Sequence, residues 1–367
     1  MIMTHKFFRL AIAALLLLPL GFTSCDDDEA SDEGSKKPTL PTVSSTNQFY
    51  VICQGNQYAG VPGSIYSINP KDTLVTGDLF QSVNKQALGD TPQQPVRYGS
   101  KIYVPVFGSN RLWVLNAQTL KIEASVTTQS PQAVCGAAGY VFVSNNDGYV
   151  SRIDTLNFAA EPQKMQVGPN PMGMAVAKNK VLVTISDGYN FNNGYANGKK
   201  VVGIDIQSFQ KTNEYTVGLN PTKVVTNDLG EAFVLCQGNY ADVLPKVQKI
   251  AVNNSVSDYC EGSMITMNKN QLYVLNTQVD KTSNKANVNA KIYNTVTNDE
   301  VTNFEFKDGK APAMPTALNV TDNGNLYICS DNSPSGYSEN GYVYEYKADG
   351  TLIHCYNVGI HPFGVVF

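Results

Sequence analysis

Three segments of the chain share one form: VGPNPMGMAV at residues 167–176, VGLNPTKVVT at 217–226 and VGIHPFGVVF at 358–367. In each, a proline precedes a short apolar run, and Gly or Asn stands close before it. Val-rich runs bounded by such turn residues are typical of β-strands. The first two copies continue into further strand-like segments, whereas the third is the end of the chain. The segment therefore predicts a strand that opens one unit of a repeat.

Two other strand patterns recur around these segments, seven times each. The first pattern is a short apolar run that ends in polar residues or Gly: FYVICQG, IYVPVFG, VFVSNND, VLVTISD, AFVLCQG, LYVLNTQ and LYICSDN. The second pattern alternates: GSIYSIN, NRLWVLN, GYVSRID, KVVGIDI, PKVQKIA, AKIYNTV and GYVYEYK. The proline-containing entries precede most copies, at Pro92, Pro131, Pro171, Pro221, Pro315 and Pro362, and the copy expected near Glu261 lacks the proline. Four strands in each of seven such units predict an all-β, seven-bladed β-propeller over residues 48–367.

The third copy also predicts how the ring closes. HPFGVVF has the form of an innermost strand, but no second strand follows it, and FYVICQG near residue 49 has no entry strand before it. Pairing the two leaves no unpaired radial edge. We therefore expect the amino-terminal and carboxyl-terminal strands to share one blade.

The amino end is typical of a targeting segment rather than of folded structure. Lys6 and Arg9 precede the apolar run LAIAALLLLPLGF, and FTSC ends it with small residues before Cys25. This layout predicts a signal peptide over residues 1–24. We expect Cys25 to be lipidated, the alternative being ordinary signal cleavage with an incidental thiol. The acidic and then Ser/Pro/Thr-rich residues 25–47 predict a disordered tether.

Charge and motif content argue against several function classes. The net charge is −4 and no Lys/Arg cluster occurs, so nucleic acid is not an expected partner. The three His and the lack of HExxH, paired CxxC, GxSxG or Walker motifs leave no predicted catalytic residue, metal ligand set or cofactor. Backbone carbonyls could still bind calcium, and the loop carboxylates Asp187, Asp242 and Asp331 stay open as acid/base candidates.

Loop length predicts which end of the propeller carries function. The innermost strand of each unit, which begins at the entry proline, is counted as its first strand, and the first apolar pattern is its second strand. Turns between these two strands are short, whereas loops after the second strand include QGNQYAGVPG, SDGYNFNNGYANGK, QGNYADVLP and SDNSPSGYSENG. The long loops are rich in Tyr, Asn and Gly, which offer flat apolar surface with adaptable hydrogen bonding. The alternative is that these residues only pack and cap long turns. The predicted ligand-binding residues are Tyr58, Tyr189, Phe191, Tyr195, Asn239, Tyr240, Tyr337 and His361. For His361, the alternative is that it fills the place of Asn in an Asn-Pro entry.

VGPNPMGMAV, VGIHPFGVVF and GYVSRIDTLN resemble the repeats of surface-layer and YVTN-type propellers. With the predicted lipoprotein leader and acidic run, the chain is similar in architecture to surface propeller lipoproteins of gut Bacteroidetes. The resemblance implies an outer-membrane location facing the cell exterior, capture of cobalamin or a related corrinoid, and transfer to a TonB-dependent transporter. It implies a binding protein rather than an enzyme. The alternatives are a propeller enzyme of the lyase or lactonase type and a scaffold that binds protein or glycan.

The cysteines after Cys25 show no spacing typical of a disulfide framework. Cys53, Cys236 and Cys329 occupy equivalent places in three copies of the first strand pattern. We expect mostly free thiols that pack as small apolar side chains.

Overall fold

The computed structural model describes residues 48–280, 285–302, 304–307, 311–332 and 336–367. The predicted signal peptide, Cys25 and the tether lie outside the described residues. Within these ranges, no helix combines the length and the hydropathy needed to span a bilayer.

The described residues form seven four-stranded antiparallel sheets arranged as a seven-bladed β-propeller, as the repeat predicts. Blade 1 contains β28 (Pro362–Val366), β1 (Phe49–Cys53), β2 (Ser64–Asn69) and β3 (Leu74–Thr76). Blade 2 contains β4 (Val96–Tyr98), β5 (Lys101–Val106), β6 (Arg111–Asn116) and β7 (Ile122–Thr127). Blade 3 contains β8 (Pro131–Ala137), β9 (Tyr140–Asn145), β10 (Tyr149–Asp154) and β11 (Met165–Gln166).

The remaining blades follow in chain order. Blade 4 contains β12 (Pro171–Ala177), β13 (Lys180–Ile185), β14 (Lys200–Asp205) and β15 (Lys211–Thr216). Blade 5 contains β16 (Pro221–Thr226), β17 (Ala232–Cys236), β18 (Lys246–Ile250) and β19 (Val256–Glu261). Blade 6 contains β20 (Met264–Asn268), β21 (Gln271–Asp280), β22 (Lys285–Asn294) and β23 (Asp299–Thr302). Blade 7 contains β24 (Met314–Val320), β25 (Leu326–Asp331), β26 (Asn340–Tyr346) and β27 (Leu352–Ile360).

Burial explains why the second strand of each blade is a nearly continuous apolar run. Val181 to Ile185 of β13 are all buried, because neighbouring blades cover both faces of the strand. The outer strand β15 instead has one buried residue, Tyr215, among polar neighbours. Apolar runs covered on both faces and alternating runs at the periphery are the two strand patterns expected of stacked sheets.

The ring closes as the sequence predicts, because β28 pairs with β1 in blade 1. Tyr50 lies opposite Val366, and Ile52 lies opposite Gly364. The joined blade packs on blade 7 through one apolar cluster that contains Phe49, Tyr327 and Val365. The two ends of the described chain therefore form part of the core.

Helix is scarce among the described residues. One α-helix, α1 (Leu79–Asn84), leads from blade 1 towards blade 2 and buries Leu79 and Phe80. Phe80 packs on Trp113 at 5.4 Å between ring centroids. Short 3₁₀ turns occur in the long loops at Gln57–Ala59, Phe191–Asn193 and Gly336–Ser338.

The six cysteines of the described residues are free thiols. Cys53, Cys236 and Cys329 are fully buried, which confirms their predicted packing role. Cys260 and Cys355 are partly exposed. Burial raises the pKa of Cys135 to about 12, so that its thiol stays protonated at neutral pH.

Candidate ligand-binding face

The start of each first strand and the loop after each second strand lie at the same end of the propeller. In blade 4, Pro171 at the start of β12 is paired with Ile185 at the end of β13. At the other end of the same strands, Ala177 and Lys180 flank a tight turn. We call the first end the long-loop face and the second end the short-turn face.

A central cavity of about 380 Å³ opens between the starts of the first strands, at the axis of the ring. The residue that follows each entry proline lines it: Gln93, Gln132, Met172, Thr222, Thr316 and Phe363. Blade 6, which lacks the proline, contributes Ser263, Met264 and Ile265. The cavity thus combines glutamine amides with apolar side chains, a mixture usual for small-molecule sites. We call it the axial cavity.

Lys223 supplies the single charged side chain of the axial cavity lining. It extends from blade 5 to the entry of blade 2, where its Nζ donates a hydrogen bond of 2.5 Å to Gln94 Oε1. Since blades 2 and 5 are not neighbours in the ring, this contact spans the axis. Desolvation lowers the pKa of Lys223 from 10.5 to about 8.

A second cavity of about 250 Å³ lies at the rim of the axial cavity. Tyr189, Tyr195 and Tyr240 line it, together with Asn146, Asn170 and Asn220. Gln132, Met172, Thr222 and Tyr240 line both cavities, so that the two are contiguous. We call this second space the rim pocket.

The loop that carries Tyr189 and Tyr195 is held by a buried carboxylate. Asp187 Oδ2 accepts hydrogen bonds from the Asn197 amide at 2.8 Å and from Asn190 Nδ2 at 2.9 Å. The Tyr189 amide donates to Asn170 Oδ1 of the blade entry at 3.1 Å. These bonds fix the loop from both ends and give Asp187 a structural role, while acid/base chemistry at Asp187 stays a prediction.

The residue before five of the six entry prolines links adjacent blades on the long-loop face. These residues adopt left-handed backbone conformations: Thr91, Ser130, Asn170, Asn220 and His361. Each bonds to the long loop of the preceding blade, for example Ser130 N to Asn110 Oδ1 at 2.8 Å and Asn170 Nδ2 to Asn146 Oδ1 at 2.9 Å. Asn tolerates this conformation better than most residues, which explains the Asn-Pro pairs of the repeat.

His361 occupies this same linking position in blade 1. Its Nδ1 lies 2.9 Å from Asp331 Oδ2, and its ring stacks between Tyr337 and Phe363 at centroid distances of 4.3 and 5.8 Å. The geometry supports the alternative that His361 fills the place of Asn. Asp331 is engaged by this contact. Asp242 likewise has a local partner, Asn239 Nδ2, at 2.7 Å.

The structure brings together three of the eight predicted ligand-binding residues. Tyr189, Tyr195 and Tyr240 line the rim pocket, although Tyr195 is mostly buried. The other five do not line either cavity: Tyr58, Phe191, Asn239, Tyr337 and His361. Asn239 Oδ1 caps its own loop by accepting from the amides of Ala241 and Val243. Ligand contact by all eight stays a prediction.

Exposed aromatic side chains are concentrated on the long-loop face. Among the described residues, the exposed rings on long loops are Tyr58, Tyr189, Phe191, Tyr240 and Tyr337. The exposed apolar residues of the short-turn face are aliphatic, as at Leu156 and Leu229, apart from Phe367 after the end of β28. Within the same described ranges, no group of three or more His, Cys, Asp or Glu side chains is placed to hold a metal ion.

Sequence reasoning missed the lining of the axial cavity. The predicted ligand-binding residues come mostly from the long loops. The lining of the axial cavity instead includes Gln93, Gln94, Gln132, Gln237 and Lys223. A signal was present, because the residue after each entry proline points to the axis. Comparing the residue after the entry proline in every copy of the repeat would have identified six lining residues.

Comparison with known proteins identifies the family. A domain family of unknown function, DUF5074, matches residues 47–309. No curated protein matches the chain. A hydrazine synthase structure from Kuenenia stuttgartiensis superposes with a TM-score of 0.60 at 14% identity, over 74% of this chain and 88% of that one. A quinoprotein alcohol dehydrogenase-like protein from Bacteroides thetaiotaomicron gives 0.57 at 16% identity, over 88% and 78%.

The family match covers more than half of the chain, so the chain belongs to the DUF5074 family. The structural neighbours share the β-propeller fold with it. At these identities the likeness concerns the fold, because unrelated functions occur on one propeller scaffold.

Proposed function

We propose that this DUF5074-family propeller captures a small-molecule nutrient on its long-loop face and does not transform it. The observation that carries the proposal is the contiguity of the axial cavity and the rim pocket, about 380 and 250 Å³. Their sizes fall within or near the range of ligand sites, and few charged groups line them. The lining combines stacking surfaces with amide donors and acceptors rather than clustered acids and bases.

A corrinoid is our specific proposal for the nutrient, following the resemblance to surface propeller lipoproteins. The macrocycle of a corrinoid is broad and flat and carries amide side chains. Tyr189 and Tyr240 offer rings at the rim on which a planar ligand could stack. Gln132 and Asn220 of the rim pocket could exchange hydrogen bonds with those amides.

Transfer to a TonB-dependent transporter would require a second contact on the same face. Tyr58, Phe191 and Leu244 are exposed there and line neither cavity. Exposed aromatic and aliphatic side chains around a ligand site are a suitable surface for a protein partner. We propose that they contact the transporter, while lipid on Cys25 anchors the protein in the outer membrane facing the exterior.

The ligand proposal is tested by incubating the purified full-length protein with cyanocobalamin and separating bound from free ligand by gel filtration. Corrin absorbance should elute with the protein in a saturable amount. Corrin absorbance confined to the free fraction would overturn the corrinoid assignment. Native mass spectrometry after incubation with a nutrient extract would then show whether another small molecule is captured.

Anchoring is tested separately in cells. Replacing Cys25 with Ala should release the protein from the membrane fraction, and protease added to intact cells should remove the unaltered form. Retention of the Cys25→Ala protein in membranes would contradict lipidation at this position.

A further inference from the structure

We propose that the group of the captured ligand that enters the axial cavity is a carboxylate, bound by Lys223. This inference rests on the proposed function in one respect, that the axial cavity admits a small molecule, and it does not depend on a corrinoid being that molecule. It concerns the chemical class of the ligand, which neither the fold nor the family description specifies.

The first argument is the isolation of the Lys223 charge. Among the described residues, no carboxylate forms an ion pair with Lys223, whereas lysines elsewhere, such as Lys246 with Asp258, have acidic partners. The Lys223 ammonium donates to the neutral Gln94 Oε1, and an ammonium has three donors in total. A desolvated cation without a counter-ion is unfavourable, and an entering anion would relieve that cost.

The second argument is the character of the surrounding lining. Gln132 can donate amide hydrogens to an oxyanion beside the ammonium. Gln93 and Gln237 can each add their second amide hydrogen, since the first donates to the Thr91 and Ser263 carbonyls. Leu235, Ile265 and Phe363 provide apolar surface in the same cavity. The cavity therefore fits a ligand whose anionic end is attached to an apolar body.

A single cation favours a monoanion over a dianion. Phosphate recognition usually draws on Arg forks or several backbone amides at a helix terminus. The axial cavity lining contains no arginine and no helix start. A carboxylate, with one negative charge and two acceptor oxygens, matches one ammonium flanked by amides.

Deprotonation of Lys223 at high pH should also make binding of the carboxylate depend on pH. Desolvation lowers its pKa to about 8, so the free protein loses this charge as pH rises through that value. Tyr240 is the other titratable side chain of the lining, and burial of its hydroxyl raises its pKa above 10.0 although much of its ring is exposed. Tyr240 therefore stays neutral while Lys223 titrates.

The test is calorimetric titration of the full-length protein with octanoate, with octan-1-ol as a neutral analogue and inorganic phosphate as an anion without an apolar body. At pH 7, octanoate should bind at least tenfold more tightly than octan-1-ol or phosphate. Lys223→Met keeps a similar chain length without the charge and should weaken octanoate at least tenfold. Octanoate affinity should fall between pH 7 and pH 9.5 in the wild type and stay level in Lys223→Met.

Lys180→Met is the matched control, because Lys180 lies on the short-turn face and donates to Asn213 Oδ1 at 2.7 Å. It should bind octanoate as the wild type does. Equal affinity for octanoate and octan-1-ol would overturn the carboxylate assignment while showing that the cavity admits ligands. Tighter binding of phosphate than of octanoate would overturn it in favour of a phosphate group. Absence of octanoate binding would also overturn it, and corrin co-elution would still decide the proposed function independently.

Discussion

The short-turn face and the long-loop face hold their loops in place by different hydrogen bonds. On the short-turn face, the third strand of five blades ends in Asn or Asp, whose side-chain oxygen accepts from the amide two residues later: Asn69, Asn116, Asp154, Asp205 and Asn294. On the long-loop face the loops differ from blade to blade, and the blade-entry residues bond to the loop before them.

This difference shows which loops keep one structure from blade to blade and which loops vary. A side chain that caps its own turn needs no partner from another blade. The same Asn or Asp cap can therefore recur in the turns of several blades. Contacts between blades occur on both faces, as between Asn270 and Asp228 on the short-turn face and between Asn170 and Asn146 on the long-loop face. The long-loop face differs in the group of aromatic rings that its loops leave exposed. We infer that the short-turn face serves stability and that the long-loop face carries the ligand site.

The largest effect is expected from breaking the scaffold that both faces share. Truncation after Gly359 removes β28, leaves one edge of β1 unpaired and exposes the cluster around Phe49. A loss of several kcal/mol would lower the thermal midpoint by about 10 °C or more in a domain of this size. Scanning calorimetry or circular dichroism on heating would measure it.

Deletion of Phe367 alone is the graded control, because it keeps the pairing of Tyr50 with Val366. It removes ring contacts to Phe49 and Tyr327 and should cost less. A midpoint unaffected by the longer truncation would show that the shared blade does not contribute to stability.

A smaller, local effect is expected at Asp187 on the long-loop face. Asp187→Ala leaves the Asn197 amide and Asn190 side chain without their acceptor, which should ease opening of this loop by about 1–3 kcal/mol. Hydrogen exchange of the amides of residues 190–198 should accelerate accordingly. Asn116→Ala on the short-turn face is the comparison, and it should leave those amides unchanged. Unaltered exchange in Asp187→Ala would refute the role of the carboxylate.

Removing the rim aromatics should affect ligand binding rather than folding. Tyr189→Ala combined with Tyr240→Ala should weaken cyanocobalamin at least tenfold, or about 1.4 kcal/mol, because both rings line the rim pocket. Leu156→Ala with Leu229→Ala removes exposed apolar side chains from the opposite face and should leave affinity unchanged. Titration of both double variants decides between the faces. Weakening only in the Leu pair would assign the site to the short-turn face.

The last predicted effect is a pH dependence of stability at Lys223. Because its pKa is lowered from 10.5 to about 8, the unfolded chain binds more protons than the folded one between these values. The cost of the desolvated ammonium therefore disappears as pH rises through this window. The Lys223→Met variant should be more stable than the wild type at pH 7, and its advantage should shrink towards pH 10. A constant difference in thermal midpoint would contradict the lowered pKa.

The ring and its closure could be predicted from the sequence because each rests on a repeated local pattern. Entry prolines such as Pro171 and Pro221 mark the strand starts, and the third copy at Pro362 has only β1 left to pair with. The length of the loops was likewise visible, and it identified the face on which both cavities open.

The axial cavity could not be predicted in the same way. The hydrogen bond from Lys223 to Gln94 joins residues that are 129 positions apart in the sequence and lie on opposite sides of the ring axis. No local sequence pattern predicts that contact. Tyr195 was grouped with Tyr189 from loop composition, but only the fold shows that one ring is buried and the other exposed. Partners such as Asp331 for His361 depend on which loops meet between blades.

Hydrogen exchange of the full-length protein with and without cyanocobalamin tests the central claim most directly, because it reports on both faces at once. Bound ligand should slow exchange in the long loops of blades 4 and 5, at residues 186–199 and 237–245, which carry Tyr189 and Tyr240. The short turns of the same blades, at residues 178–179 and 227–231, should exchange as in the free protein. Protection of the short turns with none in the long loops would contradict the assignment of the binding site to the long-loop face.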